Sequence, residues 1–296
     1  MTTATIPAAP PAAPPAHRVP GRARGRFTVA RTVRYVLLLL ILLFVLIPAY
    51  VLFVTSFKPP AETSSSTAWL LPKRWTLDGW RFAWDSLRAP LLRSFALVIP
   101  AAVVSSVLGS MNGFVLSRWR FPYANVVFAL MLFGMFIPYQ AVMIPLKQLT
   151  LALQLPNGIP TLILVHIIFG LPICTLIFRN YYESIPMDLM EAARVDGAGM
   201  LRTYLSVVLP VSAPGFVVTI IWQFTSVWND FLFAIFLSNS QNGPVTISLF
   251  ALAGGQLSNY AASMAGALIA SLPTLIVYVI LGRYFVGGLM AGSVKG

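Results

Sequence analysis

"PMDLMEAARVDGAGMLRTYLSVVLP", residues 186–210, decides how the rest of this 296-residue chain is read. Charged residues make up 9% of the chain, yet four of its eight acids, Glu183, Asp188, Glu191 and Asp196, fall between positions 183 and 196, with Arg179, Arg194 and Arg202 around them. Such a segment between apolar runs has the character of a loop at a membrane surface. Pro186 suits the first position of a short helix, where its missing N–H costs nothing, and Asp188 falls in the first turn, facing the positive end of the helix dipole. Glu191 and Arg194, three apart, are expected to form a weak pair worth about 0.2–0.5 kcal/mol. Ala192 and Ala193 leave a low surface that another backbone can approach. Gly197 supplies the left-handed conformation that ends a helix. A second short helix, Met200 to Val207, then runs back until Pro210 opens the next apolar run. These features alone fit two readings: a joint gripped by another protein, or an amphipathic interfacial helix that snorkels its charges.

The surroundings are those of an integral membrane protein. A hydrophobic fraction of 58% and a mean hydropathy of +0.81 lie well above the composition of soluble domains. Six apolar runs follow in order: Tyr35–Phe57, Leu91–Leu116, Tyr123–Leu146, Ile159–Phe178, Leu209–Leu237 and Ala261–Leu281. Each is long enough to cross a hydrocarbon core as a helix, at about 20 residues per span, and too long for a barrel strand. The expectation is therefore an all-α membrane protein of six transmembrane helices. Residues 1–34, rich in Ala, Pro and Arg, read as a disordered basic arm; residues 35–296 form the membrane domain, with the charged loop at 183–208. No small-residue cleavage site follows the first run, so it reads as an uncleaved span.

Charge placement gives the orientation. The net charge of +12 does not mark a nucleic-acid surface, because six of the twenty basic residues precede the first span and the rest are spread along the connections. With the N-terminus inside, thirteen Lys and Arg lie in cytoplasmic segments and seven (Lys58, Lys73, Arg74, Arg81, Arg88, Arg93, Lys147) outside, the bias that fixes topology in membranes. Both termini are thus expected in the cytoplasm of a multi-pass cell-membrane protein, and so is the loop at 186–210. The uncharged segment Ser238–Tyr260 is expected outside. The single cysteine, Cys174, excludes an intrachain disulfide and a cysteine-rich metal site.

Glu191-Ala192-Ala193, three residues, Gly197, nine residues, Val207, one residue, then Leu209-Pro210 resembles the EAA motif of permease subunits of ATP-binding-cassette importers, with Val207 where the family pattern has isoleucine. "TLDGWRFAW" (76–84), "GFVLSRWRFP" (113–122), "FIPYQAVMIPL" (136–146), "WNDF" (228–231) and "GSVKG" (292–296) are similar to the carbohydrate-uptake branch, in the half like the second maltose-type permease. "LFGMFIPYQ", "FRNYYE" and "TIIWQFTSVWNDFLF" look most like glucose/mannose-type permeases. The resemblance implies a type I ABC importer permease core. It implies that Glu191, Ala192, Ala193, Asp196, Gly197, Leu209 and Pro210 belong to a coupling helix that docks in a cleft of the ATPase. It also implies a second, non-identical permease, a pair of cassette ATPases and an extracytoplasmic sugar-binding protein that contacts Pro244–Tyr260, where Gly254-Gly255 allows a tight turn. The C-terminal tail, including Ser293 and Lys295, is either an element reaching the ATPase interface or a solvated end.

No catalytic residue or metal ligand is expected in this chain. A phosphate-binding loop needs glycines before Lys-Ser/Thr, and none of the four lysines is followed by either; ATP and Mg would be used by the partner ATPase. Tyr139, Gln140, Gln223, Asn229 and Asp230 are candidates for the sugar pathway. Asp230, the one acid in or beside a span, fits either a functional position or the water-facing end of span five. His166 reads as a packed, hydrogen-bonded side chain, since a metal needs several ligands. Two rival readings are an ion-coupled secondary transporter, which calls for buried ionisable groups or broken, repeat-related helices, and a membrane-embedded enzyme, which calls for a nucleophile with a base or clustered carboxylates.

Overall fold

The computed structural model describes residues 29–119, 121–254 and 259–291. Among these residues the chain is helical throughout, with no strand. It divides into two compact units, residues 1–48 and 49–296. The first helix, α1 (Val29–Ser56), bridges the division and takes in residues 29–34, which the sequence assigned to the arm. Residues 1–28 lie outside the described residues. Beyond Arg34, helix α1 is apolar all round, the composition of a span in lipid.

A connection pinned by Lys58 follows. Lys58, counted above among the exposed outer charges, is buried, and its ammonium donates to the carbonyls of Thr67 (2.6 Å) and Ala68 (3.4 Å). Burial holds its pKa below the ordinary lysine value, with the nearby Glu62 carboxylate opposing that shift.

Helix α2 (Asp78–Arg118) begins well before the apolar run at Leu91, because Asp78 sits favourably in its first turn and Gly79 packs against the backbone of Ala261. Helices α3 (Ala124–Met135) and α4 (Met143–Ala152) replace the continuous third span expected from the sequence. Counting the short 3-10 turn at Tyr139–Val142 with α4, the two halves meet at 88°. Pro138 accounts for the break, since it lacks an N–H and pushes Ile137 out of helical geometry. Helix α5 (Ile159–Glu183) extends past the apolar run to take in "FRNYYE".

The charged segment forms α6 (Met187–Val195), then α7 (Met200–Thr203), a π-helical turn (Tyr204–Val208) and α8 (Leu209–Val211) as one helical stretch. A 77° bend at Ser212 leads into α9 (Ala213–Trp228). The helical stretch that begins at Met200 runs on to Val211, and Pro214 lies in the first turn of α9. The expected fifth span also breaks at its far end, giving α10 (Leu232–Leu237) as a separate piece. Helix α11 (Val245–Gly254) lies within the segment read as an outer loop; the partner glycine of the expected turn, Gly255, lies outside the described residues. Helix α12 (Tyr260–Ala291) completes the chain.

Packing directions show how the pieces cross the membrane. Gly109 meets Cys174 and Gly113 meets Phe178, so α2 and α5 run parallel. Gly79 meets Ala261 and Gly266 meets Leu87, so α12 runs parallel to both. Gly215 meets Phe178 while Gln223 bonds at His166, so α9 runs against α5. Parallel α2 and α5 require the intervening α3–α4 pair to carry the chain back across. Among the described residues four helices are long and apolar enough to span alone, and up to six spans result if each bent pair counts as one.

The α2–α5 contact is made through small residues. A Cβ on Gly113 would lie 2.7 Å from Phe178 Cβ, and one on Gly109 would overlap Cys174. Such close approach is how helices associate in lipid, where apolar burial gives no advantage over the acyl chains. Gly113→Leu is expected to destabilise the folded protein by about 1–3 kcal/mol through overpacking. Gly134→Ala, with nothing within 4 Å of the new methyl, is expected to leave stability unchanged or slightly raised. Thermal unfolding of both variants in detergent checks the contrast.

Candidate functional site

The surface hairpin is shaped by its own sequence and fastened by residues far from it. In α6, Met190 and Ala193 turn inward while Glu191, Ala192 and Val195 face out, Val195 being 88% exposed. The i, i+3 spacing of 190 and 193 puts them on one face, so Ala193, expected on the approachable surface, instead packs against the chain. Glu191 and Ala192 remain on the outer side. The expected Glu191–Arg194 pair does not form; the ion pairs among the described residues are Asp78–Arg81, His166–Asp230 and Arg179–Glu183.

Helix α6 closes as its glycine predicts. Asp196 is the cap, and Gly197 follows at φ +76°. Gly197 N–H donates to Arg194 C=O (3.0 Å) and Ala198 N–H to Ala193 C=O (2.9 Å), the paired closure that satisfies a helix's last carbonyls. A Cβ at 197 would meet nothing within 4 Å. Glycine is needed there for its backbone angle, not for space.

Beneath the hairpin lies a buried cluster of Phe114, Phe178, Tyr182, Met190, Tyr204 and Val208, with Leu209 packed at its edge. Pro210 stays exposed. A chain of hydroxyls runs through the cluster. Ser110 Oγ is 2.5 Å from Tyr182 Oη and 2.9 Å from Tyr204 Oη, and Ser212 Oγ is 3.1 Å from Tyr182 Oη and donates to Val208 C=O. Four elements are joined by it: α2, α5, the π turn and the bend before α9. Arg118, at the end of α2, donates to the carbonyls of Tyr182 and Ile185, groups that a helix end leaves without intrahelical partners. Tyr181 Oη donates to Val211 C=O (2.7 Å). The hairpin is thus tied to both helices that carry the close contact.

The hairpin thus combines an exposed outer face with a buried, hydrogen-bonded anchor on the spanning helices. Residues 105–289 match the family of binding-protein-dependent transport system inner membrane components. The chain belongs to that family. Among curated relatives, this permease is 33% identical to a xylose/arabinose import permease protein of Haloferax volcanii, over 82% of this chain and 87% of that one. It is 32% identical to a glucose import system permease protein of Saccharolobus solfataricus, over 85% and 91% of the two chains. Its fold is similar to that of a bacterial ABC transporter involved in the import of the acidic polysaccharide alginate, with a TM-score of 0.75 at 22% identity over 88% of this chain and 99% of that one.

The residues proposed for a sugar pathway separate into two groups. Tyr139, Gln140 and Asn229 are exposed, Tyr139 beside Phe233 at a ring distance of 5.7 Å. Gln223 is buried; its amide donates to His166 C=O (2.9 Å) and fills the space left by Gly170. Asp230 does not face water, as one reading of the sequence had it. Its side chain is 11% exposed, accepts from Phe233 N–H (3.3 Å) and Ala234 N–H (3.1 Å) at the start of α10, and stands 3.5 Å from His166 Nε2. That separation is an ion-pair distance and not a hydrogen bond. His166 therefore has a carboxylate neighbour that lies 64 positions away in sequence (230 − 166). Ser293 and Lys295 lie outside the described residues.

Sequence reading did not find Ser110, Arg118, Tyr182, Tyr204 and Ser212 as one unit, because they are brought together only by the fold. Tyr182→Phe, which leaves Ser110 and Ser212 without their shared partner, is expected to cost the permease about 1–3 kcal/mol. Ser110→Ala combined with it is expected to cost less than the sum of the two, since both act in one network. Denaturant unfolding of the single and double variants measures the coupling.

Proposed function

We propose that this permease forms half of the translocation pathway of an ATP-driven sugar importer. A second, non-identical permease forms the other half. A pair of cassette ATPases, using ATP and Mg, hydrolyses the nucleotide; this chain carries no part of that chemistry. An extracytoplasmic sugar-binding protein delivers cargo, and both termini of this chain lie in the cytoplasm, as the Lys and Arg distribution requires.

The observation that carries the coupling role is the outward presentation of Glu191 and Ala192 on a short helix closed by Gly197 and anchored to α2 and α5. Glu191 pairs with a basic group in the ATPase cleft, and Ala192 admits close approach. Asp196 and Gly197 set the angle between α6 and the following helix. When the ATPase pair closes, a pull on the hairpin passes into the parallel helices as a rigid-body movement, because the anchor is buried and hydrogen-bonded. Leu209 and Pro210 lie on the second arm, next to the bend into α9. Ser293 and Lys295 extend the ATPase contact.

Sugars as the cargo class rest on relatives named for xylose/arabinose and for glucose, at 33% and 32% identity respectively. Near-equal identity to importers of different sugars supports the class more than any member of it. The exposed Tyr139, Gln140 and Asn229, beside the breaks in the third and fifth spans, are the groups of this chain suited to meet a sugar, with Gln223 and Asp230 behind them holding the helices.

The test uses the reconstituted complex with a panel of radiolabelled glucose, mannose, xylose and arabinose. Glu191→Ala and Gly197→Val are expected to assemble with the ATPases yet reduce uptake and coupled hydrolysis roughly tenfold or more, the scale set by losing a hydrogen bond to a charged group. Gly197→Asn, which tolerates the left-handed backbone, is expected to retain most activity. Unchanged uptake in the Glu191 and Gly197→Val variants would make the hairpin a membrane-surface helix only.

A further inference from the structure

On the opposite half of the molecule from the hairpin, a cleft of about 640 Å³ opens between α2 and α12. Trp84, Arg88, Leu92 and Phe95 line it from α2, and Leu272 and Pro273 from α12. Its volume lies in the range of about 300–1,000 Å³ typical of small-ligand sites. Every lining side chain but one is apolar. The exception is Arg88, exposed and engaged in none of the salt bridges among the described residues.

The order of residues along α2 gives the cleft a polarity. Arg88 and Trp84 lie one turn apart, before the apolar run that begins at Leu91, so they stand at the level where the bilayer meets water. Tryptophan and arginine are the side chains that favour that level. Leu92 and Phe95 lie one and two turns deeper, and Leu92, at 71% exposed, points an aliphatic surface into open space. A cation at the rim above an apolar slot complements an amphiphile with an anionic head. An entirely apolar protein helix would fill the slot and leave the guanidinium unused.

We propose that this cleft binds an anionic phospholipid, with the phosphate on Arg88 and an acyl chain between α2 and α12. The site depends on the chain spanning a membrane, not on the cargo or the coupling hairpin. Native mass spectrometry of the purified complex, incubated with phosphatidylglycerol or phosphatidylcholine of identical chains, counts the lipids retained. The wild type is expected to retain phosphatidylglycerol in preference to phosphatidylcholine. Arg88→Ala is expected to weaken phosphatidylglycerol retention roughly fivefold, the effect of one basic residue near the membrane surface, and to abolish the headgroup preference. Leu92→Trp, filling the slot, is expected to remove both lipids, while Arg81→Ala, at a cation outside the cleft, is expected to change neither. Should Arg88→Ala lower the amount of assembled complex, the headgroup preference of the wild type and the Leu92→Trp result carry the test. Equal retention of the two lipids by the wild type would overturn the site, as would efficient cross-linking of a cysteine at position 92 to the second permease with no lipid retained.

Discussion

The close parallel contact of α2 with α5 is the constraint on which the other features depend. Two glycines four residues apart, Gly109 and Gly113, let the backbones approach until a single methyl would collide. That proximity brings Ser110, between them, within hydrogen-bonding distance of Tyr182, and lets Arg118 reach the Tyr182 and Ile185 carbonyls where α5 ends. With α2 and α5 further apart, neither link would form. The hairpin would then lose its ties to α2 and be held to α5 alone, through Tyr181, Ser212 and the aromatic cluster. Close packing between two helices thus fastens the surface segment to both of them.

The same contact shows which parts of the structure were legible in the sequence. Local signals read well, with one residue's difference at the start: Pro186 is the cap and Met187 the first helical residue, Asp188 lies in the first turn, and Gly197 ends α6 with a positive φ. What the sequence left open was direction. Ala192 and Ala193 are adjacent and alike, and only the register of α6, set by Met190 packing on Tyr182 and Tyr204, sends one outward and the other in. The π turn at 204–208 has no signature in its residues, yet it leaves Tyr204 and Val208 both facing the core. Span limits suffered from a different cause. Hydropathy is an average over many residues, and Pro138 and Pro214 hardly alter it, although each removes a backbone donor and coincides with a change of direction. Membrane helices tolerate proline where neighbours satisfy the freed groups, so its presence does not reveal whether a span bends or breaks.

Tertiary pairing accounts for the remaining misses. Asp230 and His166 are unremarkable singly in the sequence, one at the end of an apolar run and the other inside one. The antiparallel course of α5 and α9 sets them together, with Gln223 bonded to the His166 carbonyl from within α9 and Asp230 just past that helix's end. Around them, Trp228 Nε1 donates to Ala270 C=O on α12, and Thr246 Oγ1 on α11 donates to the Asp230 carbonyl. "WND" therefore occupies a junction of α5, α9, α11 and α12, where the Trp228 indole and the Asp230 carbonyl are bonded across helices and the Asn229 amide bonds back to Thr225 C=O within α9. In lipid an unpaired polar group is costly, so this junction holds the broken end of the fifth span in one geometry.

Hairpin and junction lie at opposite ends of α9, and this arrangement says what kind of movement the fold can transmit. At one end, the Ser212 hydroxyl is tied to Val208 and stands beside Tyr182. At the other, the helix stops at Trp228, next to the exposed Asn229. Between the ends, α9 is fixed to α5 through Gly215 against Phe178 and Gln223 against Gly170. A packed interface of this density shifts as a body or not at all, because interiors deform little and hold discrete arrangements. On the coupling role proposed above, a displaced hairpin would move α5 and α9 together, and the breaks flanking α9 and α3 would absorb the change of angle without parting the contacts that define the core.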